Sequence, residues 1–124
     1  GFTYSAHPIA VAAALASLDT YAQNDMFARA SAMAPIWEEA AHSLRGLPHV
    51  KDIRNLGLVA AIELESRDGA VGARGTQAMK TAWAEGLMIR VTGDIIALSP
   101  PLIISEDEIQ MLFGKLGDIL RDLD

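Results

Sequence analysis

The sequence has 124 residues, with ten Lys plus Arg against sixteen Asp plus Glu, a formal charge of −6, and no cysteine. A chain of this length is one domain's worth of polypeptide and can bury roughly two-thirds of its unfolded surface. The scattered basic residues argue against a nucleic-acid or anionic-membrane surface. The missing cysteines exclude disulfides and thiolate metal sites, and no apolar run approaches the roughly 20 residues that span a bilayer.

The N-terminus shows neither a basic leader nor a cleavage site, so a cytoplasmic protein is expected. The chain opens at Gly1-Phe2-Thr3 without an initiator Met and runs directly into a patterned segment, which predicts a fragment of a longer protein.

Pro8 to Gln23 form the first periodic block, with Pro8 suited to a first helical turn, where its missing N–H would be unpaired anyway. Ala, Leu and Val dominate nearly every face through Ala22. A helix apolar all round is normally packed on several sides, so this one needs partners. Asn24-Asp25 can cap a second helix, in which Phe27, Ala30, Ala34, Trp37, Ala41 and Leu44 form a core stripe. Pro35 inside that pattern should kink or divide the helix, and Gly46 and Pro48 end it.

From Val50 the period changes. Residues 50–54 and 58–64 read as two strands joined across Asn55 to Gly57, and Ser66 to Gly75 reads as a loop. Thr76 can then cap a helix carrying Met79, Ala82 and Trp83, which Gly86 ends. Residues 87–91 and 95–98 make a second strand pair around Thr92-Gly93-Asp94, and Pro100-Pro101 stop it. Ser105 with Glu108 is a capping box, followed by an amphipathic helix with Ile109, Leu112, Phe113, Leu116, Leu120 and Leu123 on one face. The order predicts an α+β fold, a small sheet covered by helices.

Chemistry-bearing residues are few. Phe2-Thr3-Tyr4-Ser5 place hydroxyls ahead of a helix N-terminus, where free N–H groups and the dipole favour an anion such as phosphate; Ser and Thr ahead of a helix are usually plain caps, and spacing does not decide between the two. Arg90 stands on an apolar strand, where a guanidinium either recognises a carboxylate or pairs with Asp94 across the turn. His7, His42 and His49 share no metal-ligand spacing, and His42 reads as helix surface. The five methionines, Trp37 and Trp83 fall on or near apolar stripes, where filling gaps is the ordinary role. Acidic runs such as Glu106-Asp107-Glu108 read as solvated surface. The glycines of Gly69 to Gly75 lack the Lys-Ser or Lys-Thr of a phosphate loop.

Four ordered blocks carry a resemblance: Gly1 to Pro8 followed by an alanine-rich helix, Asp52 to Leu58, Ala84 to Arg90, and Leu98 to Ile104. Together they resemble the C-terminal portion of class III (ω) pyridoxal-phosphate-dependent aminotransferases of fold type I, most like the ω-amino acid (β-alanine):pyruvate group. The resemblance implies that residues 1–24 are a cofactor-phosphate segment and interdomain helix. Residues 25–124 would be the C-terminal small domain, with a mostly antiparallel sheet.

It further implies pyridoxal 5'-phosphate as cofactor, with Thr3, assisted by backbone at Phe2, binding its phosphate across a dimer interface, and Arg90 binding the substrate carboxylate. The partners implied are a small amine or amino acid, a 2-oxo acid, and further copies of the parent enzyme as a homodimer or dimer of dimers. Lys51, Lys80 and Lys115 do not match the family's Schiff-base lysine motif, so this segment alone is expected to be inactive. A 4-aminobutyrate, ornithine or diamine:2-oxoglutarate transaminase is the nearest alternative. A non-catalytic binding or oligomerisation module is the alternative of another class.

Overall fold

A computed structural model describes residues 2–124. Helix α1 spans Pro8–Gln23 and α2 Met26–His42; strands β1 (Val50–Leu56) and β2 (Val59–Leu64) follow. Then come α3 (Ala73–Ala84), β3 (Arg90–Thr92), β4 (Ile95–Leu98) and α4 (Glu106–Arg121). The strands form one antiparallel sheet in the order β1-β2-β4-β3. The α+β class and the small antiparallel sheet agree with the sequence reading.

The sheet has one buried and one open face. Ile53, Ile62 and Ile96 lie opposite one another across β1, β2 and β4, and Val91 completes the row on β3. This row faces the helices, with Ile62 and Ile96 fully buried. Helix α2 adds Trp37, Ala40 and Ala41, α3 adds Ala78 and Ala82, and α4 adds Ile109, Phe113, Leu116 and Leu120. The Trp37 and Phe113 rings meet edge to face with centroids 4.8 Å apart, an arrangement that adds to their area burial.

Helix α4 follows its sequence pattern. The Ser105 hydroxyl accepts the Glu108 N–H at 3.3 Å while the Glu108 carboxylate accepts the Ser105 N–H at 2.8 Å, completing the capping box. The Ser105 N–H and then the Ser105 hydroxyl, each donating to it at 2.8 Å, hold the Glu108 carboxyl below the usual carboxylate range. Helix α1 has no buried residue at all, and Leu15 and Leu18 are largely exposed.

Several local expectations are corrected. Asn24 caps α1 from behind rather than α2 from the front, its amide donating to the Thr20 carbonyl at 2.9 Å. Asp25, left-handed at φ 46°, starts α2 with no side-chain cap. Pro35 does not divide α2. Phe27 leaves the core stripe, exposed and leaning on Tyr21 with ring centroids 5.2 Å apart.

Helix α3 begins at Ala73, ahead of Thr76, so its cap is not the threonine. Strand β3 starts at Arg90 rather than Leu87, because Gly86 at φ +75° closes α3. Its N–H returns to the Trp83 carbonyl and the Leu87 N–H to the Ala82 carbonyl at 2.7 Å, which commits Leu87 to the helix end rather than the sheet. His42 is half-buried, its Nε2 2.9 Å from Asn55 Oδ1, not on the open surface. Met88, Met111 and Trp83 are exposed and fill no gap in the chain's own core.

Candidate functional site

Thr3 lies in a turn that precedes α1. The Ser5 N–H donates to the Phe2 carbonyl at 3.0 Å and the His7 N–H to the Tyr4 carbonyl at 3.3 Å, and Ala6 takes φ 59° to redirect the chain into Pro8. His7 is the N-cap and offers no capping side-chain bond. Among the described residues no hydrogen bond engages the Thr3 hydroxyl, and Phe2 and Tyr4 are exposed. A helix start with uncommitted N–H groups and a nearby hydroxyl suits the phosphate end of a cofactor.

The rest of such a cofactor finds less here. Lys51 Nζ is 2.7 Å from Glu63 Oε1, and Lys115 donates to the Glu85 carbonyl at 2.7 Å. Both lysines are thus engaged within the small sheet and its helices. The residues present therefore fit a phosphate group and leave the ring to be held by other residues.

Arg90 is the first residue of β3 and lies on the open face of the sheet. Successive cross-strand pairs place Arg54, Ala61, Ala97 and Arg90 in one row. Directly opposed residues share a face, so the two arginines stand at the two edges with small side chains between them. Three strand spacings separate their backbones by roughly 14 Å. Arg54 is engaged: its Nη1 is 2.7 Å from Asp52 Oδ2 and 3.1 Å from Glu63 Oε2. Hydrogen bonds that Arg54 donates to Asp52 and then to Glu63 raise the Arg54 pKa, and those that Glu63 accepts from Lys51 and then Arg54 lower that of Glu63.

Arg90 is exposed and has no carboxylate within ion-pair distance among the described residues. The pair with Asp94 does not form, because both Asp94 oxygens are used elsewhere. Oδ1 accepts the Gly75 N–H at 2.8 Å; Oδ2 accepts the Gly72 N–H at 2.7 Å and the Ser66 hydroxyl at 2.7 Å. Burial pushes the Asp94 carboxyl up, but the Gly75, Gly72 and Ser66 donors outweigh it and hold the group below its ordinary value.

Thr3 and Arg90 are not brought together within the chain: α1 packs on α2, and β3 on β4 and α3. Asp94 is the residue that sequence reasoning missed, having entered only as a partner for Arg90. Its signal was the pair Gly72 and Gly75 at the start of a helix without a capping side chain of its own.

Comparison with known proteins gives a consistent picture. The family model of aminotransferase class-III matches residues 1–120. An omega-aminotransferase of Caulobacter vibrioides is 54% identical over all of this chain, which spans 28% of that protein. A beta-alanine–pyruvate aminotransferase of Pseudomonas aeruginosa is 37% identical over 99% of the chain and 28% of its own length. A probable mitochondrial gamma-aminobutyrate transaminase of Oryza sativa is 36% identical over 98% of the chain and 25% of its own length.

Among solved structures, a thermostable omega transaminase mutant from Pseudomonas jessenii superposes with TM-score 0.91 at 32% identity, over 98% of this chain and 28% of that one. The chain thus spans under a third of the length of the curated relatives it matches. With the family model covering nearly every residue, and with the fold matching transaminases along the same span, the chain belongs to the class-III aminotransferases, a pyridoxal-phosphate-dependent family.

Proposed function

We propose that this chain is the C-terminal part of an enzyme that moves an amino group from an ω-amino acid or primary amine to pyruvate. The observation that carries the reading is the guanidinium of Arg90, exposed on the open sheet face and unpaired, while Arg54 at the other end of the same row is doubly paired. An unpaired guanidinium offers a planar fork for a carboxylate, and a side chain at an edge strand can turn to water when an uncharged substrate takes its place. The names of two relatives, omega-aminotransferase and beta-alanine–pyruvate aminotransferase, support the same assignment.

In this reading residues 1–24 are the phosphate segment and interdomain helix, and residues 25–124 the small domain. The bare apolar surface of α1 fits a helix covered by the remainder of the enzyme. The Thr3 hydroxyl and the N–H groups around it hold the cofactor phosphate of a neighbouring subunit in a homodimer or larger assembly in the cytoplasm. When bound, pyridoxal phosphate supplies the electron sink and carries the amino group between donor and acceptor. Arg90 orients the substrate by its carboxylate, which fixes the amino group relative to that cofactor. The segment alone is inactive in this reading, because none of Lys51, Lys80 and Lys115 matches the Schiff-base lysine motif that the chemistry needs.

The test is a substrate matrix on the full-length enzyme: β-alanine, 4-aminobutyrate and a benzylic amine as donors, each against pyruvate and 2-oxoglutarate. Pyruvate preference with β-alanine or the benzylic amine is the expected result. A preference for 2-oxoglutarate with 4-aminobutyrate favours the second reading, for which the gamma-aminobutyrate transaminase likeness is the supporting observation.

A further inference from the structure

The β3–β4 turn carries a buried anion to which the proposed activity assigns no role. Asp94 is 6% exposed, and every donor that reaches its carboxylate belongs to α3 or to the loop leading into it. Helix α3 has no capping side chain of its own; its N-cap is Gly72 at φ +84°. Asp94 supplies the missing acceptors from 22 residues away along the chain, neutralising orphan N–H groups at the positive end of the helix dipole.

The backbone tightens the same joint. The Leu64 N–H donates to the Asp94 carbonyl at 2.9 Å, tying the turn to the end of β2. A Cβ on Gly75 would stand 2.2 Å from the Gly93 carbonyl oxygen, so hairpin and helix start are in direct contact there.

The consequence falls on Arg90. Strand β3 has three residues and lies at the sheet edge, paired with β4 alone. So short a ladder holds its strand weakly, and packing on α3 together with the docked turn restrains it further. Arg90 sits opposite Ala97, at the end of this hairpin away from the turn. The geometry points to Asp94 as a positioning residue for Arg90: by capping α3 it clamps the β3–β4 hairpin and so sets where the Arg90 guanidinium meets a substrate carboxylate. The inference rests on the reading of Arg90 as the carboxylate contact.

The experiment uses the full-length enzyme loaded with its cofactor and follows the donor half-reaction in single turnovers, with β-alanine and a benzylic amine in parallel. The readout is the ratio of their rate constants per molar. Arg90→Ala should lower the β-alanine preference, and Asp94→Asn should lower it roughly tenfold. In the Arg90→Ala background Asp94→Asn should produce no further fall in the ratio, because the position of a missing guanidinium no longer matters. A purely structural Asp94 would slow both donors alike, or shift the ratio equally in both backgrounds, and either result overturns the inference.

If Arg90→Ala leaves the ratio unchanged, the reading of Arg90 itself fails. A fall for Arg90→Ala with none for Asp94→Asn is a failure of the clamp alone. Should Asp94→Asn not fold, Ser66→Ala removes one donor from the same carboxylate and should lower the ratio about two- to threefold. An unchanged ratio for Ser66→Ala then counts against the clamp.

Discussion

Arg54 and Arg90 occupy the same row of the same sheet face, with only Ala61 and Ala97 between them, yet they stand in opposite electrostatic company. Around Arg54 the strands present Asp52, Glu63 and Lys51, an exposed cluster whose charges neutralise one another. Around Arg90 they present Ala97, Ile95 and Thr92, and the nearest acid in sequence, Asp94, turns inward to cap α3. A charge with local partners has its work done inside the fold. A charge without them is available to a ligand, as the proposed carboxylate contact requires.

The largest effect should come from the buried side of the same sheet, where side chains hold the fold rather than the substrate. Ile62→Ala removes a fully buried side chain from the centre of the helix-facing row. It should cost about 2–5 kcal/mol of stability, seen as a lower denaturation midpoint for the full-length protein. A loss as small as that of Ala61→Ser would mean the two faces are not divided as described. Next, Thr3→Ala should weaken cofactor retention by about 1.5–3 kcal/mol, the range for a hydrogen bond to a charged group, measured by equilibrium dialysis of the full-length enzyme. Unchanged retention would leave Thr3 as no more than a turn residue.

The Asp94 clamp has a pH signature of definite sign. Its folded pKa is lowered, so its contribution is fully present above the unfolded value of about 3.9 and is lost as pH falls through the lower folded value. Denaturation of wild type and Asp94→Asn should therefore differ most near neutrality and converge below about pH 4. A constant difference across that range would contradict the assignment. The smallest effect belongs to the exposed cluster: Glu63→Gln should change stability little, with a difference that shrinks further as salt is added.

How much of this was legible in the sequence depends on how far each residue's partners lie along the chain. Helix α4 was readable from Ser105 and Glu108 and from its apolar spacing, because capping box and stripe are local. The start of α3 was not, since its cap comes from Asp94 rather than Thr76. The start of β3 was displaced because the Gly86 turn holds Leu87 against the helix, which hydrophobicity alone does not reveal. His42 was misplaced for the same reason, its partner Asn55 lying on β1. Arg90 was visible as an oddity on an apolar strand, but only the Gly72, Gly75 and Ser66 donors around Asp94, distant in sequence, remove the pair between the two. The role proposed for Thr3 rests on resemblance, because an exposed turn beside an unpacked helix completes no site by itself.

The most direct test of the account is Arg90→Ala in the full-length enzyme, with kcat/KM measured for β-alanine and for a benzylic amine under the same conditions. The β-alanine value should fall by about 2–3 kcal/mol in transition-state terms, roughly 30- to 150-fold, while the benzylic amine changes by less than about threefold. Equal losses for the two donors would contradict the assignment of Arg90 to the substrate carboxylate.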